Sequence, residues 1–279
     1  MKVIGQLRIG IRSIGYGDRL RDKAAIALLL FIYLLFPIGL VARKLGRPLP
    51  DPARLIASYR CRSVDGVFIC PGAGGPSFLA CDPSYDPGVA AHIDALTSGI
   101  FLDVGANVGF FTVKAAKHLE KRGSVIAIEP HPVRFELLRQ NVALNGLDNV
   151  TCLPFAVGSE NGRGAIYEPD PSFGPHRLDV SCAPVGTAAI GVEVRTVDSL
   201  LETLGIRELA LVKIDVEGFE PEVIGGMRQV LGDQPVPVIF EALNSHALER
   251  AVARLRPLGY AVEQIDQQNF LARRAAPQQ

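Results

Sequence analysis

Phe101-Leu-Asp-Val-Gly-Ala-Asn-Val-Gly-Phe-Phe-Thr112 decides how this chain is read. Apolar and β-branched residues flank Asp103 as a short buried strand. Gly105, Asn107 and Gly109 then make a tight turn, and a helix runs from Thr112 to about Arg122, ended by Gly123. Strand, glycine turn and helix bring backbone N–H groups and a helix start close to a nucleotide-like ligand. The spacing is Gly-x-Asn-x-Gly rather than the Gly-x-Gly-x-x-Gly of a pyrophosphate cradle, which favours a cofactor without phosphates.

Outward from that run the pattern alternates. Strands are expected at 100–104, 124–128, 149–156, 208–214 and 236–240, with helices at 132–145, 198–204, 220–231 and 246–255. Pro132 opens its helix and Gly146 closes it. Asp198 or Ser199 caps the next, with Ser199-Leu-Leu-Glu202 as a capping box. The last two strands, 260–265 and 269–271, lie too close for a crossover helix and pair as an antiparallel hairpin. Alternation of this kind gives a parallel sheet with helices on both faces. Residues 159–195 break the rhythm: Glu168-Pro-Asp-Pro-Ser-Phe-Gly-Pro-His176 leads to Arg177 and Asp179 as a substrate loop or a plain surface loop. Upstream, 63–70 and 77–81 read as two strands about the turn at 71–76, and 86–96 as a short helix leading into the main domain.

Ala24 to Ala42 carries no charge and is mostly Leu, Ile, Ala and Phe. As a helix it spans about 28 Å, close to the ~30 Å hydrocarbon core of a bilayer. A membrane segment is the favoured reading. A buried helix is the alternative, since Pro37 interrupts the run. A cleaved signal peptide fits less well, because the preceding basic stretch is long and no clear small-residue cleavage site follows. Both flanks are basic (Lys2, Arg8, Arg12, Arg19, Arg21 and Lys23 before; Arg43, Lys44 and Arg47 after), so the positive-inside rule does not choose an orientation. Pro37-Ile38-Gly39 offers a break at which the segment re-enters, leaving both flanks beside anionic lipid on the cytosolic face. The chain thus divides into a basic, membrane-associated segment at 1–50, with the linker 46–52 at its end, and a catalytic domain at 51–279 that carries a β extension at 51–99.

The formal net charge is zero, which gives no reason to invoke nucleic acid. None of the five cysteines (Cys61, Cys70, Cys81, Cys152, Cys182) forms a Cys-x-x-Cys pair, so no zinc site is expected and they read as small buried residues in a reducing compartment.

Ligands of open α/β sheets sit beyond the carboxyl ends of the strands. The first strand brings Asp103 and the turn Gly105-Ala106-Asn107-x-Gly109. The second ends in Glu129, positioned to accept hydrogen bonds from two ribose hydroxyls or to serve as a helix-start carboxylate before Pro130-His131-Pro132. The third ends near Phe155-Ala156-Val157, where backbone groups can meet an adenine. Together these suit S-adenosylmethionine. The fourth strand, Leu211-Val-Lys-Ile-Asp-Val-Glu-Gly-Phe-Glu220, sets Lys213 and Asp215 on one face, so a salt bridge or a site role is expected. Asp215, Glu217 and Glu220 fit a base and positioning group for an acceptor hydroxyl, ligands for a divalent cation, or a helix-start cluster. No His joins them at ligand spacing, so no metal is assigned. Glu241 ends the fifth strand, with Asn244 and His246 beyond it; His246 and His176 are lone histidines of the kind more often found capping or on the surface.

The runs Asp103-Val-Gly-Ala-Asn-Val-Gly, Glu129-Pro, Asn141-x-x-x-Asn145-Gly, Thr196-Val-Asp-Ser-Leu200, Lys213-Ile-Asp-Val-Glu-Gly-Phe-Glu220 and the strand-end Glu241 resemble the FkbM family of S-adenosylmethionine-dependent methyltransferases over roughly residues 60–272. The resemblance implies an α/β class I methyltransferase sheet: Rossmann-like, seven strands, parallel with an antiparallel C-terminal hairpin. It implies methyl transfer to a hydroxyl of a small-molecule or glycan acceptor. Asp103, Gly105, Ala106, Asn107, Gly109, Glu129 and Ala156 would then bind the cofactor, and Asp215, Glu217 and Glu241 would face the acceptor. The apolar run at 24–42 lies outside the shared domain; as a membrane anchor it suggests a lipid-linked acceptor and a catalytic domain facing the cytoplasm. The alternatives are a nicotinamide-dependent oxidoreductase, which lacks Gly-x-Gly-x-x-Gly and Tyr-x-x-x-Lys here, and a non-catalytic membrane scaffold keeping the fold.

Overall fold

The computed structural model describes residues 11–34, 56–72, 77–167, 177–178 and 189–274. The chain divides after Tyr85 into two compact units.

The first unit holds helix α1 (Leu20–Leu34) and the antiparallel hairpin β1 (Ser58–Arg62) and β2 (Val67–Pro71). Asp22 is buried in the first turn of α1, where its carboxylate accepts from the backbone N–H groups of Arg19 and Arg60, both at 3.0 Å. This ties helix to hairpin. The hairpin turns at 63–66, where Ser63 Oγ accepts from Asp65 N, rather than at 71–76; residues 73–76 lie outside the described residues. Ser, Asp and Gly supply the turn chemistry there. Ser77–Cys81 is a 3-10 helix burying Phe78 and Cys81, not a strand. Cys61, Cys70 and Cys81 are buried free thiols, Cys152 is half-buried, and Cys182 lies outside the described residues.

The expected membrane-spanning helix is not found among the described residues, which hold only 24–34 of the apolar run. α1 starts four residues before Ala24, and its 15 described residues span about 22 Å. Its first turns include Arg21, Asp22 and Lys23, and Ile26 and Leu29 are spent on protein packing. Among the described residues no helix is long and apolar enough to cross a membrane. Residues 35–55, with Pro37-Ile38-Gly39, the second basic flank and the whole 46–52 linker, lie outside the described residues.

The second unit begins with α2 (Pro87–Asp94), β3 (Gly99–Val104), α3 (Phe110–Leu119), β4 (Gly123–Ile128), α4 (Pro132–Leu144) and β5 (Val150–Leu153). It continues with β6 (Ala156–Val157), β7 (Gly162–Tyr167), β8 (Arg177–Leu178), β9 (Ala189–Arg195), α5 (Val197–Leu204), β10 (Leu211–Ile214), α6 (Glu220–Gly225) and α7 (Arg228–Asp233). β11 (Val238–Glu241), α8 (Ser245–Leu255), β12 (Tyr260–Gln264) and β13 (Asn269–Arg274) complete it. The main sheet has seven strands in the order β12-β13-β11-β10-β3-β4-β5. β13 runs antiparallel to both β11 and β12, and the other pairings are parallel. This is the sheet and terminal hairpin the sequence implied.

Alternating side chains load the two faces of that sheet. Leu102, Val104, Ile126, Ile128, Val212 and Phe240 belong to one core, with residues of α5, α6, α7 and α8. Phe101, Val125, Leu211 and Ile239 belong to the other, with α2 and α3. The chain moves outward from β3 to β5, then returns to β10 on the opposite side of β3. The crevice between the carboxyl ends of β3 and β10 is therefore the switch point where such sheets hold ligands.

Local differences from the sequence reading have physical causes. α3 starts at Phe110, and Gly123 does not cap it: Gly123 is extended, and a Cβ there would lie 2.1 Å from Gly99 O, so it is needed for close strand approach. The strand expected at 149–156 ends at Leu153, and Ala156–Val157 joins a second sheet. In that sheet, ordered β6-β9-β7-β8, β7 and β9 pair antiparallel through six residue pairs, so 159–195 is not wholly irregular. Residues 168–176 and 179–188, with His176 and Asp179, lie outside the described residues. Thr196 rather than Asp198 or Ser199 caps α5, accepting from Ser199 N at 3.1 Å. Asp198 instead accepts from Gln229 N and Val230 N at the start of α7. The helix expected at 220–231 breaks at Gly225-Gly226, where a Cβ on Gly226 would lie 2.1 Å from Gly158 O.

Candidate active site

The turn after β3 is built by fit. Gly105 has φ +83°, and a Cβ there would lie 1.8 Å from the carbonyl oxygen of Asp215. Gly109 has φ +93°, with Leu138 Cδ1 2.6 Å from where its Cβ would stand. Both glycines are thus demanded by the chain's own packing and by left-handed backbone. The N–H groups of Gly105 and Ala106 both donate to Ile128 O at 2.9 Å. Asn141, fully buried in α4, donates from Nδ2 to Val108 O at 2.8 Å and so fixes the far side of the turn. Asn107 also sits at positive φ, +53°, and sends its N–H to Glu129 Oε2 at 2.8 Å.

Glu129, at the end of β4, is buried and also accepts from His131 N through Oε1 at 2.9 Å. Burial raises its pKa, with Arg134 and the two amides opposing that rise. Each oxygen so far takes one N–H and keeps a second acceptor direction. The helix-start reading is therefore partly met, and the acceptor capacity that a ribose would use remains.

Asp103 is 1% exposed. Its Oδ2 accepts from Thr112 Oγ1 at 2.6 Å, whereas Oδ1 has no hydrogen-bond partner among the described residues. Lys213 lies directly opposite it in the β3–β10 ladder, with Nζ 3.9 Å from Oδ1. The same Nζ donates to Asp215 Oδ2 at 3.0 Å and stands 5.1 Å from the centre of the Phe111 ring. Burial alone would lower the lysine pKa; Asp215 and Asp103 outweigh it and raise it. Lys213 is thus a buried ammonium, and the expected salt bridge with Asp215 is present.

The turn after β10 is built differently. Glu217 has φ +58°, a strained conformation for a side chain of its size, and Gly218 follows at +102°. Glu220 Oε1 accepts from Val216 N and Gly218 N, so this carboxylate closes the turn. Burial, then Asp215, pushes Glu217 up to about 7. Glu241 is pushed up to about 9 by burial and by Asp215, Glu217 and Glu220. Asp86, at φ +40° before α2, rises to about 6 through burial, with Lys213 opposing.

The structure therefore brings Asp103, Gly105, Ala106, Asn107, Gly109 and Glu129 to one turn, and Asp215 and Glu217 to the adjacent one, with Glu241 coupled to them electrostatically. Ala156 is buried on β6, paired with Val194 of the second sheet rather than ending β5. Asn244 caps α8, accepting from Ala247 N. Sequence reading missed Thr112, Asp86 and the Asp266–Asn269 turn, in which Asp266 Oδ1 accepts from Asn269 Nδ2 at 2.9 Å. Their only signal was polar residues at strand and helix ends. Among the described residues no group of three or more His, Cys, Asp or Glu is arranged to hold a metal ion.

Comparison with known proteins adds four observations. Residues 103–268 match the model of the methyltransferase FkbM domain. The 31-O-demethyl-FK506 methyltransferase FkbM of Streptomyces tacrolimicus is 30% identical over 222 residues, covering 68% of this chain and 84% of the relative. The hexuronic acid methyltransferase AglP of Haloferax volcanii is 28% identical over 141 residues, and the match spans 50% of this chain and 54% of AglP. Among solved structures, methyltransferase FkbM from Methylobacillus flagellatus KT is similar at a TM-score of 0.45 and 16% identity, over 88% of this chain and 60% of that one.

Proposed function

The chain belongs to the FkbM methyltransferase family, and from that premise we propose that it transfers the methyl group of S-adenosylmethionine to a hydroxyl of a small-molecule or glycan acceptor. One observation carries the cofactor assignment: the buried Glu129 carboxylate at the end of β4, tied to the glycine turn through Asn107 N. The donor set fits the group. Glu129 offers two acceptor directions to ribose hydroxyls, and Asp103 Oδ1 offers a buried, unpartnered acceptor beside the turn. Gly105, Ala106, Asn107 and Gly109 shape the surface against which it would lie, and Ala156 is assigned a backbone role beside the adenine.

When bound, S-adenosylmethionine supplies a methyl group on a cationic sulfur, already a good leaving group. The protein's main task is then alignment and proton removal. Glu217, pushed up to about 7, is a proton acceptor matched to neutral pH. Asp215 is held by Lys213 and positions the acceptor hydroxyl. Glu241, pushed up to about 9, stays protonated at neutral pH and donates a hydrogen bond to an acceptor oxygen.

The names of the two relatives, one for the 31-O position of a demethylated compound and one for a hexuronic acid, support an oxygen acceptor and a sugar-like one. The cytoplasmic side is the proposed location, because the methyl donor is made there. The exposed Leu20, Leu28 and Phe31 of α1, beside Arg19, Arg21 and Lys23, support contact with a membrane surface and a lipid-linked acceptor. Flotation with anionic vesicles tests the location; failure to float restricts the acceptor to soluble compounds. Transfer of labelled methyl from S-adenosylmethionine to fractionated small-molecule, glycan and lipid extracts tests the activity. Label confined to protein or nucleic acid would overturn it.

A further inference from the structure

In the first unit, strand alternation sends Tyr59, Cys61, Phe68 and Cys70 to the buried face of the β1–β2 hairpin. The register sets Cys61 opposite Phe68 and Tyr59 opposite Cys70. The 3-10 helix Ser77–Cys81 packs on that face: the rings of Phe78 and Tyr59 are 6.4 Å apart, and Cys81 Sγ stands 2.7 Å from Cys61 Sγ. Cys70 Sγ is 3.7 Å from the same sulfur. Each of the three thiols is at most 1% exposed. The spacing does not suit a shared metal ion. Two thiolates on a tetrahedral zinc, each at about 2.3 Å, sit about 3.8 Å apart, and Cys61 and Cys81 are far closer. Their approach lies between ordinary contact, ~3.5–4.0 Å even for carbon, and the ~2.05 Å of a disulfide. Cys61 and Cys70 are diagonal neighbours across the hairpin. Such neighbours stand ~7–8 Å apart, beyond the ~7 Å between Cα atoms that a disulfide spans without backbone movement. Cys81 comes from a separate element and is free of that limit. Hydrogen bonds from Cys70 and Cys81 pull the Cys61 thiol well below its ordinary pKa against the effect of burial, whereas burial pushes Cys70 and Cys81 up. Cys61 is thus the nucleophile of the three.

We propose that Cys61 and Cys81 form a reversible disulfide, a peroxide-responsive staple between β1 and the 3-10 helix. The oxidant is hydrogen peroxide, small enough to reach a buried sulfur. The Cys61 thiolate attacks one peroxide oxygen, the O–O bond breaks, and the hydroxide that leaves takes up the Cys61 proton as water. Cys61 is then a sulfenic acid. The Cys81 sulfur attacks the Cys61 sulfur, the S–O bond breaks, and the departing hydroxide takes the Cys81 proton as a second water. Two thiols and one peroxide become one disulfide and two waters. Cys70 keeps its thiol and serves as a positioning residue that hydrogen-bonds Cys61. A dithiol reductant reopens the bond by exchange and is itself left as a disulfide. In a reducing compartment the thiols persist, and the bond forms only while oxidant is present. It joins residues 20 positions apart and so restricts the unfolded chain. The inference is independent of the methyl-donor reading.

The full chain, first reduced, is exposed to hydrogen peroxide, alkylated in denaturant and digested without reductant, and the linked peptides are mapped by mass spectrometry. The parent is expected to give a Cys61–Cys81 link that dithiothreitol removes, with its other cysteines recovered as alkylated thiols. Cys70→Ser should give the same link. Cys61→Ser and Cys81→Ser should give none at the same exposure. A parent in which Cys61 links to Cys70, or is over-oxidised without any link, overturns the inference. So does a link that persists in Cys61→Ser. If the serine variants fail to fold, the map of the parent alone decides between these results. The link should also raise the melting temperature of the parent by about 5 °C, and dithiothreitol should reverse the rise. A mapped link with no rise overturns the staple.

Discussion

The turns after β3 and β10 lie side by side and are held by opposite means. The first, Gly105 to Gly109, is fixed by volume: its glycines stand where any Cβ would strike Asp215 O or Leu138, and its amides are spent on Ile128 and Glu129. The second, Asp215 to Glu220, has room around Gly218, with nothing within 4 Å of an added Cβ, and is held by charge. Lys213 grips one carboxylate, Glu220 closes the backbone, and Glu217 is left strained and hard to ionise. A cofactor surface needs a fixed shape, whereas an acceptor surface needs carboxylates of different protonation, and the two turns divide along that line.

This contrast breaks most readily at Gly105. Gly105→Ala forces a Cβ into a backbone carbonyl at positive φ, and a loss of ~3 kcal/mol or more is expected. Thermal denaturation should show a fall of about 10 °C or no folded protein; a shift under ~2 °C would mean the turn is not set by volume. Next in size is Glu217→Gln, which keeps the shape and removes the base. Methyl transfer should fall on the order of a hundredfold at neutral pH, with S-adenosylhomocysteine affinity unchanged. Its pH–rate profile should also lose the rise that the parent shows through about 7. Unchanged turnover would pass the role to another carboxylate. Gly218→Ala should cost only about 1–2 kcal/mol, the price of left-handed backbone without a clash. A cost equal to that of Gly105→Ala would erase the distinction between the turns.

Stability should also depend on pH. Glu217 and Glu241 bind protons more tightly folded than unfolded, at about 7 and about 9 against an ordinary ~4.3. Their contribution is therefore complete below pH ~4 and is lost as pH rises through those values. The melting temperature should drop between pH 5.5 and 9, and Glu241→Gln should flatten the drop. A parent whose stability rises over that range would contradict the assigned burial of both groups.

Much of this was legible in the sequence, for reasons that differ by element. β3, β4, β10 and β11 are short apolar runs ended by turn residues, and Pro132 and Gly146 bracket α4: Gly146 N and Leu147 N bond back to Ala143 O and Val142 O. These are local signals. The β7–β9 pairing was hidden because it joins residues more than twenty positions apart, and the Pro and Gly in the sequence between them read as loop. The break at Gly225-Gly226 was hidden because its cause is Gly158, far away in sequence. In the site, the carboxylates and glycines could be picked out by type and spacing. What could not be read was why the glycines are required, or that Lys213 reaches two carboxylates from adjacent strands. In the apolar run at 24–42, hydropathy reads composition alone and does not show that α1 begins among charges and buries Asp22 against the hairpin.

The central claim is that the β3 turn and Glu129 hold a methyl donor. Thermal shift with S-adenosylmethionine, S-adenosylhomocysteine and NAD tests it most directly, run on the parent and on Glu129→Ala. The parent should be stabilised by the first two in proportion to the logarithm of ligand concentration, and Glu129→Ala should lose that response while remaining folded. Stabilisation by NAD alone, or an undiminished response in Glu129→Ala, would contradict it.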